Sequence, residues 1–181
     1  MSRRIVRPLC LLGLATACPP EPGPDATADL APLADSGVAG RVDFTLLPEG
    51  EVQIAGEIAG LAPGLHGLHI HEWGDCSAPD ASGDHFNPDS VAHGPPDAAE
   101  HHAGDFGNIE ADADGRAVFS VTMDTATFAL VGKYGVLGRA LVVHEKPDDF
   151  GQPTGNAGAR LACGLIERTR GDTTAVLPPG P

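Results

Sequence analysis

The chain has 181 residues and a formal net charge of −14, and this length suits one domain with or without tails. Its 24 glycines and 17 prolines, with aromatic residues at only 4 %, favour short strands and turns over long helices. The acidic balance excludes a nucleic-acid-binding protein, because such a protein needs a basic face.

The N-terminus has the pattern of an export signal. Residues 1–17 begin with three arginines, continue through the short apolar run LCLLGL and end in the small-residue motif ATA, as signal peptides do. The apolar run is too short to span a bilayer. Cys18 follows at once, and the run LATAC resembles the lipobox of bacterial lipoproteins, in which the cysteine is lipidated. We therefore expect export to the periplasm or outer membrane with a membrane tether through Cys18; simple secretion is the alternative.

The segment after Cys18 is rich in Pro, Ala and Asp and has no apolar period. This composition predicts that residues 18–36 are a lipidated cysteine and a flexible linker. We place one folded domain at 37–168. Residues 169–181 lack a strand pattern and are predicted to be a flexible tail.

Strand patterns follow one another through the predicted domain. Six segments alternate between apolar and polar residues or are continuously apolar: 38–47, 51–58, 67–71, 116–122, 140–145 and 159–166. Turn signals between them, without long helical periods, predict an antiparallel sandwich or barrel. Two irregular stretches, 73–108 and 146–158, are long for a compact domain. The first contains four of the eight histidines, so we expect it to be functional.

One group of histidines lies in strand patterns. His69 and His71 are two residues apart, so on a strand both side chains project from the same face. His144 ends another apolar run and could supply a third imidazole. Three neutral imidazoles suit copper or zinc. The alternative is that His69 and His71 lie on the polar face of a strand without a ligand role.

A second group lies in the first irregular stretch. His85, His93, His102 and Asp105 offer three imidazoles and a carboxylate, which is a donor set for a tetrahedral structural zinc. A metal would also order a loop of this length. The alternative is a polar loop with incidental histidines. His101 leaves the choice of ligand open by one position, although the spacing to Asp105 favours His102.

Two cysteines, Cys76 and Cys163, remain in the predicted folded part. In an exported protein they most simply form one disulfide. Neither belongs to a CxxC pair, which argues against a metal-thiolate role.

Several of these runs together resemble a known family. HGLHIHEWGDC, DHFNP, HHAGDFGN, LVVHEK and GNAGARLACG are similar, in the same order, to the signature runs of the copper–zinc superoxide dismutase family. They cover most of residues 64–166. The resemblance implies an eight-stranded antiparallel Greek-key β-barrel, an immunoglobulin-like sandwich, with two long loops forming an active-site channel. The spacing from His71 to Cys76 is similar to that of the exported bacterial branch.

The resemblance also implies a role for each site residue. The implied copper ligands are His69, His71, His85 and His144. The implied zinc ligands are His85, His93, His102 and Asp105, so His85 would bridge the two metals. The remaining implied roles are a disulfide between Cys76 and Cys163, a catalytic Arg160 that docks an anionic substrate, a catalytic proton carrier in His85, and a carboxylate, Asp148, that hydrogen-bonds a ligand of each metal.

The implied activity is superoxide dismutation with copper and zinc as cofactors. Two superoxide anions and two protons would become dioxygen and hydrogen peroxide, by alternate reduction and reoxidation of copper. Two alternatives stay open: a zinc hydrolase or hydratase that uses three histidines, and a copper- or zinc-buffering protein without turnover. A homodimer is compatible with the resemblance, as is a monomer. We expect Arg160 and Lys146 to attract superoxide locally, against the acidic charge of the whole chain.

Overall fold

The computed structural model describes residues 23–124 and 127–169. The predicted signal peptide, Cys18 and the tail from residue 170 onward lie outside the described residues. Within them, no helix is long and apolar enough to cross a membrane.

Eight strands form one closed barrel. They are β1 (Ala26–Pro32), β2 (Ala39–Leu46), β3 (Glu51–Ala59), β4 (Gly64–His71), β5 (Asp105–Ala111), β6 (Arg116–Asp124), β7 (Ala140–His144) and β8 (Arg160–Arg168). Neighbouring strands are antiparallel and follow the order β1-β2-β3-β6-β5-β4-β7-β8 around the barrel. The connections from β3 to β4 and from β6 to β7 join strands that are not neighbours, as in Greek-key folds. The predicted eight-stranded antiparallel barrel is therefore confirmed.

The barrel interior is a single apolar core built by strand alternation. Val42 and Phe44 of β2 and Ile54 of β3 are fully buried, while the residues between them are more exposed, because successive side chains point to opposite faces. The ring of Phe44 stacks on that of Phe128, with centroids 6.3 Å apart. Strand β7 is buried at every position, since it has the core on one face and a smaller cluster with Leu33 on the other.

The prediction of a flexible linker at 18–36 is wrong for residues 26–32. This segment is strand β1, which pairs with β2 and β8 and closes the barrel, so the folded domain begins before residue 37. Ala26, Ala28 and Leu30 alternate and are buried. The sequence does not indicate this strand, because two of the inward side chains are alanines in a segment rich in Pro and Asp, and alanine gives a weak apolar signal.

The predicted irregular stretch 73–108 is also too long, because its last residues begin strand β5. Gly107 has a φ of +74°, and the register opposite β4 shifts between Gly67 and His69. Such a bulge breaks the period of two on which sequence-based strand prediction depends. The six predicted strand segments overlap β2, β3, β4, β6, β7 and β8.

Both long loops fold back against β4. In the β4–β5 loop the backbone N–H of Phe86 donates to the carbonyl of Ile70 at 2.8 Å, and in the β7–β8 loop the carbonyl of Lys146 accepts from Gly67 N–H at 2.9 Å. A disulfide between Cys76 and Cys163 ties the first loop to β8. These attachments bring the two histidine groups of the sequence to the same part of the surface.

Candidate metal centre

The first histidine group converges on one point. His69 and His71 come from β4 and His144 from the end of β7. His85 comes from the β4–β5 loop, where its backbone forms an isolated antiparallel β-bridge with that of His71. All four are at most 5 % exposed. One ring nitrogen of each lies within 4.8 Å of the others. We call these residues the four-histidine set.

Hydrogen bonds fix which nitrogens of this set are free. His71 Nδ1–H donates to the carbonyl of Gly83 at 2.9 Å, which leaves its Nε2 unprotonated and 3.4 Å from His144 Nε2. His69 Nε2–H donates to Asp148 Oδ2 at 2.8 Å. The other nitrogen of His69, Nδ1, is buried and has no hydrogen-bond partner among the described residues. His144 Nδ1 lies 3.4 Å from the carbonyl of Gly158, and a proton on that nitrogen leaves the lone pairs of three rings facing one another.

The second group is built around the carboxylate of Asp105. Its Oδ1 lies 2.9 Å from His85 Nδ1, and its Oδ2 lies 2.8 Å from His93 Nδ1. His102 Nδ1 lies 3.3 Å from Oδ1 but does not meet hydrogen-bond geometry there and is otherwise unpartnered. We call His85, His93, His102 and Asp105 the zinc set, since three imidazoles and one carboxylate are a zinc donor set.

His85 belongs to both sets. Its Nδ1 faces Asp105, which leaves Nε2 for the other histidines. Its ring centroid lies 4.0 Å from that of His69 and 5.3 Å from that of His93. A single imidazole can bind two cations only through its two nitrogens, and His85 is placed to do so.

Asp148 hydrogen-bonds one histidine of each set. Its Oδ2 accepts from His69 and its Oδ1 accepts from His93 Nε2–H at 2.9 Å. Asn108 of β5 holds the backbone of Asp148 in turn, accepting its N–H at 2.7 Å and donating to its carbonyl at 2.9 Å. Carboxylates in this position fix the tautomer and orientation of metal-binding histidines.

Burial keeps three histidines of the first set, His71, His85 and His144, neutral. Burial, aided by neighbouring histidines and opposed by hydrogen bonds, lowers the pKa of His85 to about 4 and that of His144 to about 3. Burial also lowers the pKa of His71 well below its usual range. Neutral imidazoles are the form that binds metals, so no proton has to be displaced from these rings at neutral pH.

In the second set, neighbouring carboxylates raise the pKa of a buried histidine instead of lowering it. Burial opposes a charge on His93, but the hydrogen bonds that His93 donates to Asp105 and Asp148 outweigh it and raise the pKa of His93 to about 9. Burial likewise opposes the charges of Asp105 and Asp148, and their histidine partners lower the pKa of both well below the usual range. Without a metal, a proton on His93 balances the buried carboxylates; a divalent cation would take that role.

A cavity of about 620 Å³ opens over the four-histidine set. His71, His85 and His144 line it together with Arg160. The guanidinium of Arg160 donates to the carbonyl of Gly83 at 2.7 Å. Arginine stays protonated in proteins, so this cavity presents a permanent cation beside three imidazoles.

The loop backbone holds Arg160 in place. Its Nη1 donates to the carbonyl of Pro79 at 3.0 Å and to Ser82 Oγ at 3.1 Å. Burial lowers the pKa of Arg160, while Asp80 and Asp84, which line the same cavity, act in the opposite direction. This cavity is therefore lined by one permanent cation and two carboxylates.

The residues fit copper and zinc on the evidence of the unpartnered nitrogens. His69 Nδ1 and His102 Nδ1 are both buried without a partner, and burying a polar atom unpaired is costly unless something binds it. Four neutral imidazoles suit copper, and three with a carboxylate suit zinc.

A family model of copper/zinc superoxide dismutase matches residues 38–166. The chain belongs to this family. Members of the family hold copper and zinc, in agreement with the two sets.

Relatives of the copper/zinc superoxide dismutase family resemble the chain over most of its length. Superoxide dismutase [Cu-Zn] 2 of Brassica juncea is 44 % identical over 141 residues, which cover 74 % of this chain and 91 % of the relative. The copper chaperone for superoxide dismutase of Sus scrofa is 46 % identical over 153 residues, which cover 80 % of this chain. The chain spans only 54 % of that chaperone's length.

Among solved structures, the clock protein EA4 is similar in fold. Its crystal structure superposes with a TM-score of 0.73 at 38 % identity, and the match covers 81 % of this chain and 96 % of that one.

The structure adds site residues that the sequence did not indicate. The carbonyl of Gly83 accepts from both His71 and Arg160, and a backbone atom leaves no sequence signal. Asn108 holds Asp148, and the side chain of Gln152 pairs with the backbone of His93. Of these residues, only Asn108 belongs to a run that resembles the family, HHAGDFGN, and a polar side chain at a strand position is the signal that could indicate it.

Proposed function

We propose that the chain is a superoxide dismutase, which converts two superoxide anions and two protons to dioxygen and hydrogen peroxide by alternate reduction and reoxidation of a copper ion. The observation that carries the proposal is that Arg160 and three imidazoles of the four-histidine set line one cavity. A small anion that enters this cavity meets a fixed cation beside the copper-binding nitrogens. We propose the two sets as the copper and zinc ligands.

The chemistry divides between the metal and the chain. Copper, when bound, supplies one-electron redox chemistry that zinc lacks. Arg160 binds and orients the anion, because its guanidinium is held by three backbone and side-chain oxygens. When its Nε2, the nitrogen directed away from Asp105, is not bound to copper, His85 holds a proton there and donates it to the reduced oxygen species; solvent supplies the second proton. Asp148 keeps His69 and His93 in the tautomers that leave Nδ1 free.

A copper-transferring or copper-buffering protein without turnover is the second candidate, because a copper chaperone is among the relatives. Two observations favour the enzyme. The chain matches 91 % of the Brassica juncea dismutase but only 54 % of the chaperone. The four histidines are also at most 5 % exposed, which suits a resident ion better than one that is handed to a partner.

Metal analysis combined with superoxide turnover tests the proposal on protein lacking residues 1–17. We expect copper and zinc in equal amounts and rapid disappearance of superoxide. Zinc in both sets without turnover would indicate a hydrolase or a buffer. Copper that binds without turnover would favour the second candidate.

A variant at the shared histidine tests the mechanism. We expect His85→Ala to lower turnover by about 100-fold or more, because it removes a positioned proton donor. If this variant kept both metal occupancy and turnover, the bridging role of His85 would be wrong.

We further propose that the protein works outside the cytoplasm, exported and tethered through Cys18. The disulfide between Cys76 and Cys163 supports this location, since disulfides persist in oxidising compartments. Fractionation of cells expressing the whole chain tests the tether. We expect the protein in the membrane fraction and Cys18→Ser in the soluble exported fraction; a wild-type protein found only in soluble fractions would contradict the lipid anchor.

A further inference from the structure

A second cavity, of about 400 Å³, opens on the zinc side of the site. Both long loops contribute to its wall. It shares Asp84, His85 and Thr154 with the larger cavity, so both cavities reach His85.

The smaller cavity has the character of a cation passage. Among the described residues that line it are two carboxylates, Glu72 and Asp84, and no lysine or arginine. Arg139 approaches Glu72 from outside the lining, at 3.8 Å. The larger cavity instead contains Arg160. The larger cavity also has two carboxylates, Asp80 and Asp84, so the two cavities differ in the cation of Arg160.

The smaller cavity is lined by a histidine of the zinc set that has an unpartnered ring nitrogen. His102 lines it, is 6 % exposed, and has an Nδ1 without a hydrogen-bond partner among the described residues. The larger cavity is not lined by His102, His93 or Asp105. The smaller cavity is therefore lined by two members of the zinc set, His85 and His102, and the larger cavity by one, His85.

Gln152, which lines this cavity, hydrogen-bonds the backbone of His93, a member of the zinc set. Its Oε1 accepts the backbone N–H of His93 at 3.1 Å, and its Nε2–H donates to the carbonyl of His93 at 2.8 Å. This double hydrogen bond joins the β7–β8 loop to the β4–β5 loop beside the zinc set. Opening the cavity further requires these two bonds to break.

We propose that the smaller cavity is the passage by which zinc enters and leaves, and that Gln152 is the positioning residue that keeps it closed. The proposal rests on the zinc ligands proposed above. It separates zinc exchange from the path of superoxide, which uses the larger cavity.

Narrowing each cavity in turn tests the passage. Val91 lines only the smaller cavity and Ala159 only the larger one. On the fully metal-loaded protein, the rate of zinc transfer to a colorimetric chelator in excess is measured together with copper release to a copper(I) chelator after reduction. We expect Val91→Trp to slow zinc release severalfold and leave copper release unchanged. Ala159→Trp should do the reverse.

The outcomes separate clearly. Zinc release slowed by Ala159→Trp, or unaffected by Val91→Trp, overturns the passage. If Val91→Trp does not fold, Val91→Phe provides the same test with a smaller ring. A wild-type protein that binds no zinc would instead contradict the ligand assignment of the proposed function.

Removing the double hydrogen bond tests the closing role. We expect Gln152→Ala to release zinc about tenfold faster, which is the lower end of the effects seen when groups that support metal ligands are removed. Gln152→Glu keeps the acceptor for His93 N–H and should restore part of the loss. Gln53→Ala, at an exposed site on β3, is the matched control and should release zinc at the wild-type rate. Equal rates for Gln152→Ala and Gln53→Ala would overturn the role of Gln152.

Discussion

His71 and Arg160 donate hydrogen bonds to the same acceptor, the backbone carbonyl oxygen of Gly83, at 2.9 and 2.7 Å. One peptide group therefore sets both the tautomer of a proposed copper ligand and the position of the proposed substrate-binding cation. The two functions are coupled through a backbone atom, so a change in the path of the loop at Gly83 alters both.

Gly83 can be tested through its backbone conformation. Its φ is +73°, and a Cβ placed there would lie 2.6 Å from Cδ1 of Trp73. We expect Gly83→Ala to lower the free energy of unfolding by at least about 1–2 kcal/mol, the cost of a left-handed backbone at a residue with a Cβ, and to lower copper affinity and turnover. Gly37 is the control, because its φ is +71° and its Cβ position is open. Gly37→Ala should lose stability only; if Gly83→Ala kept wild-type turnover, the shared acceptor would have no functional role.

Either of two neighbouring histidines, His101 or His102, could supply the third imidazole of the zinc set. His102 is buried and has the unpartnered Nδ1, whereas His101 Nδ1–H donates to the carbonyl of His102 at 2.8 Å and its side chain is partly exposed. We expect His102→Ala to lose about tenfold or more in zinc affinity and His101→Ala to change it little. Competition with a chelator measures both affinities. A larger effect at His101 would shift the ligand assignment by one residue.

Local attraction of superoxide predicts a salt dependence. Arg160 lies in the larger cavity, and the stem of Lys146 lies beside Gly158, which lines it. We expect turnover under sub-saturating superoxide to fall as ionic strength rises, because salt screens the attraction.

Matched lysine variants separate this attraction from the charge of the whole chain. Lys146→Ala should flatten the salt dependence. Lys133→Ala should not, since Lys133 is already ion-paired with Asp89. Turnover that rises with salt would show instead that the acidic net charge dominates.

The metal-free protein should be most stable near pH 6.5. The pKa values of His85 and His144 are lowered to about 4 and about 3, so below pH 6.5 the unfolded chain takes up protons first and stability falls toward pH 4. The pKa of His93 is raised to about 9, so the stabilisation it gives below pH 6.5 is lost as the pH rises through 9.

Denaturant midpoints of the metal-free protein at pH 4.5, 6.5 and 9 measure this profile. His93→Gln should remove the alkaline decrease and keep the acidic one. A wild-type midpoint that increased from pH 6.5 to 9 would contradict the assignment of the proton to His93.

Parts of the fold were predictable because their side chains alternate strongly. The segment EVQIAGEI gave the bounds of β3 almost completely. The sequence does not indicate strand β1, because its inward positions are two alanines and a leucine, and its stability depends on pairing with β2 and β8. Strand β5 was not found because the bulge at Gly107 breaks its period.

The sequence by itself determined the donor types and the residues that supply them, since metal chemistry restricts ligands to a few side chains and their spacing resembled one family. Only the tertiary structure decided that Gly83, Gln152 and Asn108 support the site, and that two cavities share His85. These features depend on backbone atoms and on contacts between loops far apart in the chain. Chain folding alone brings such groups together, so no local pattern of residues records them.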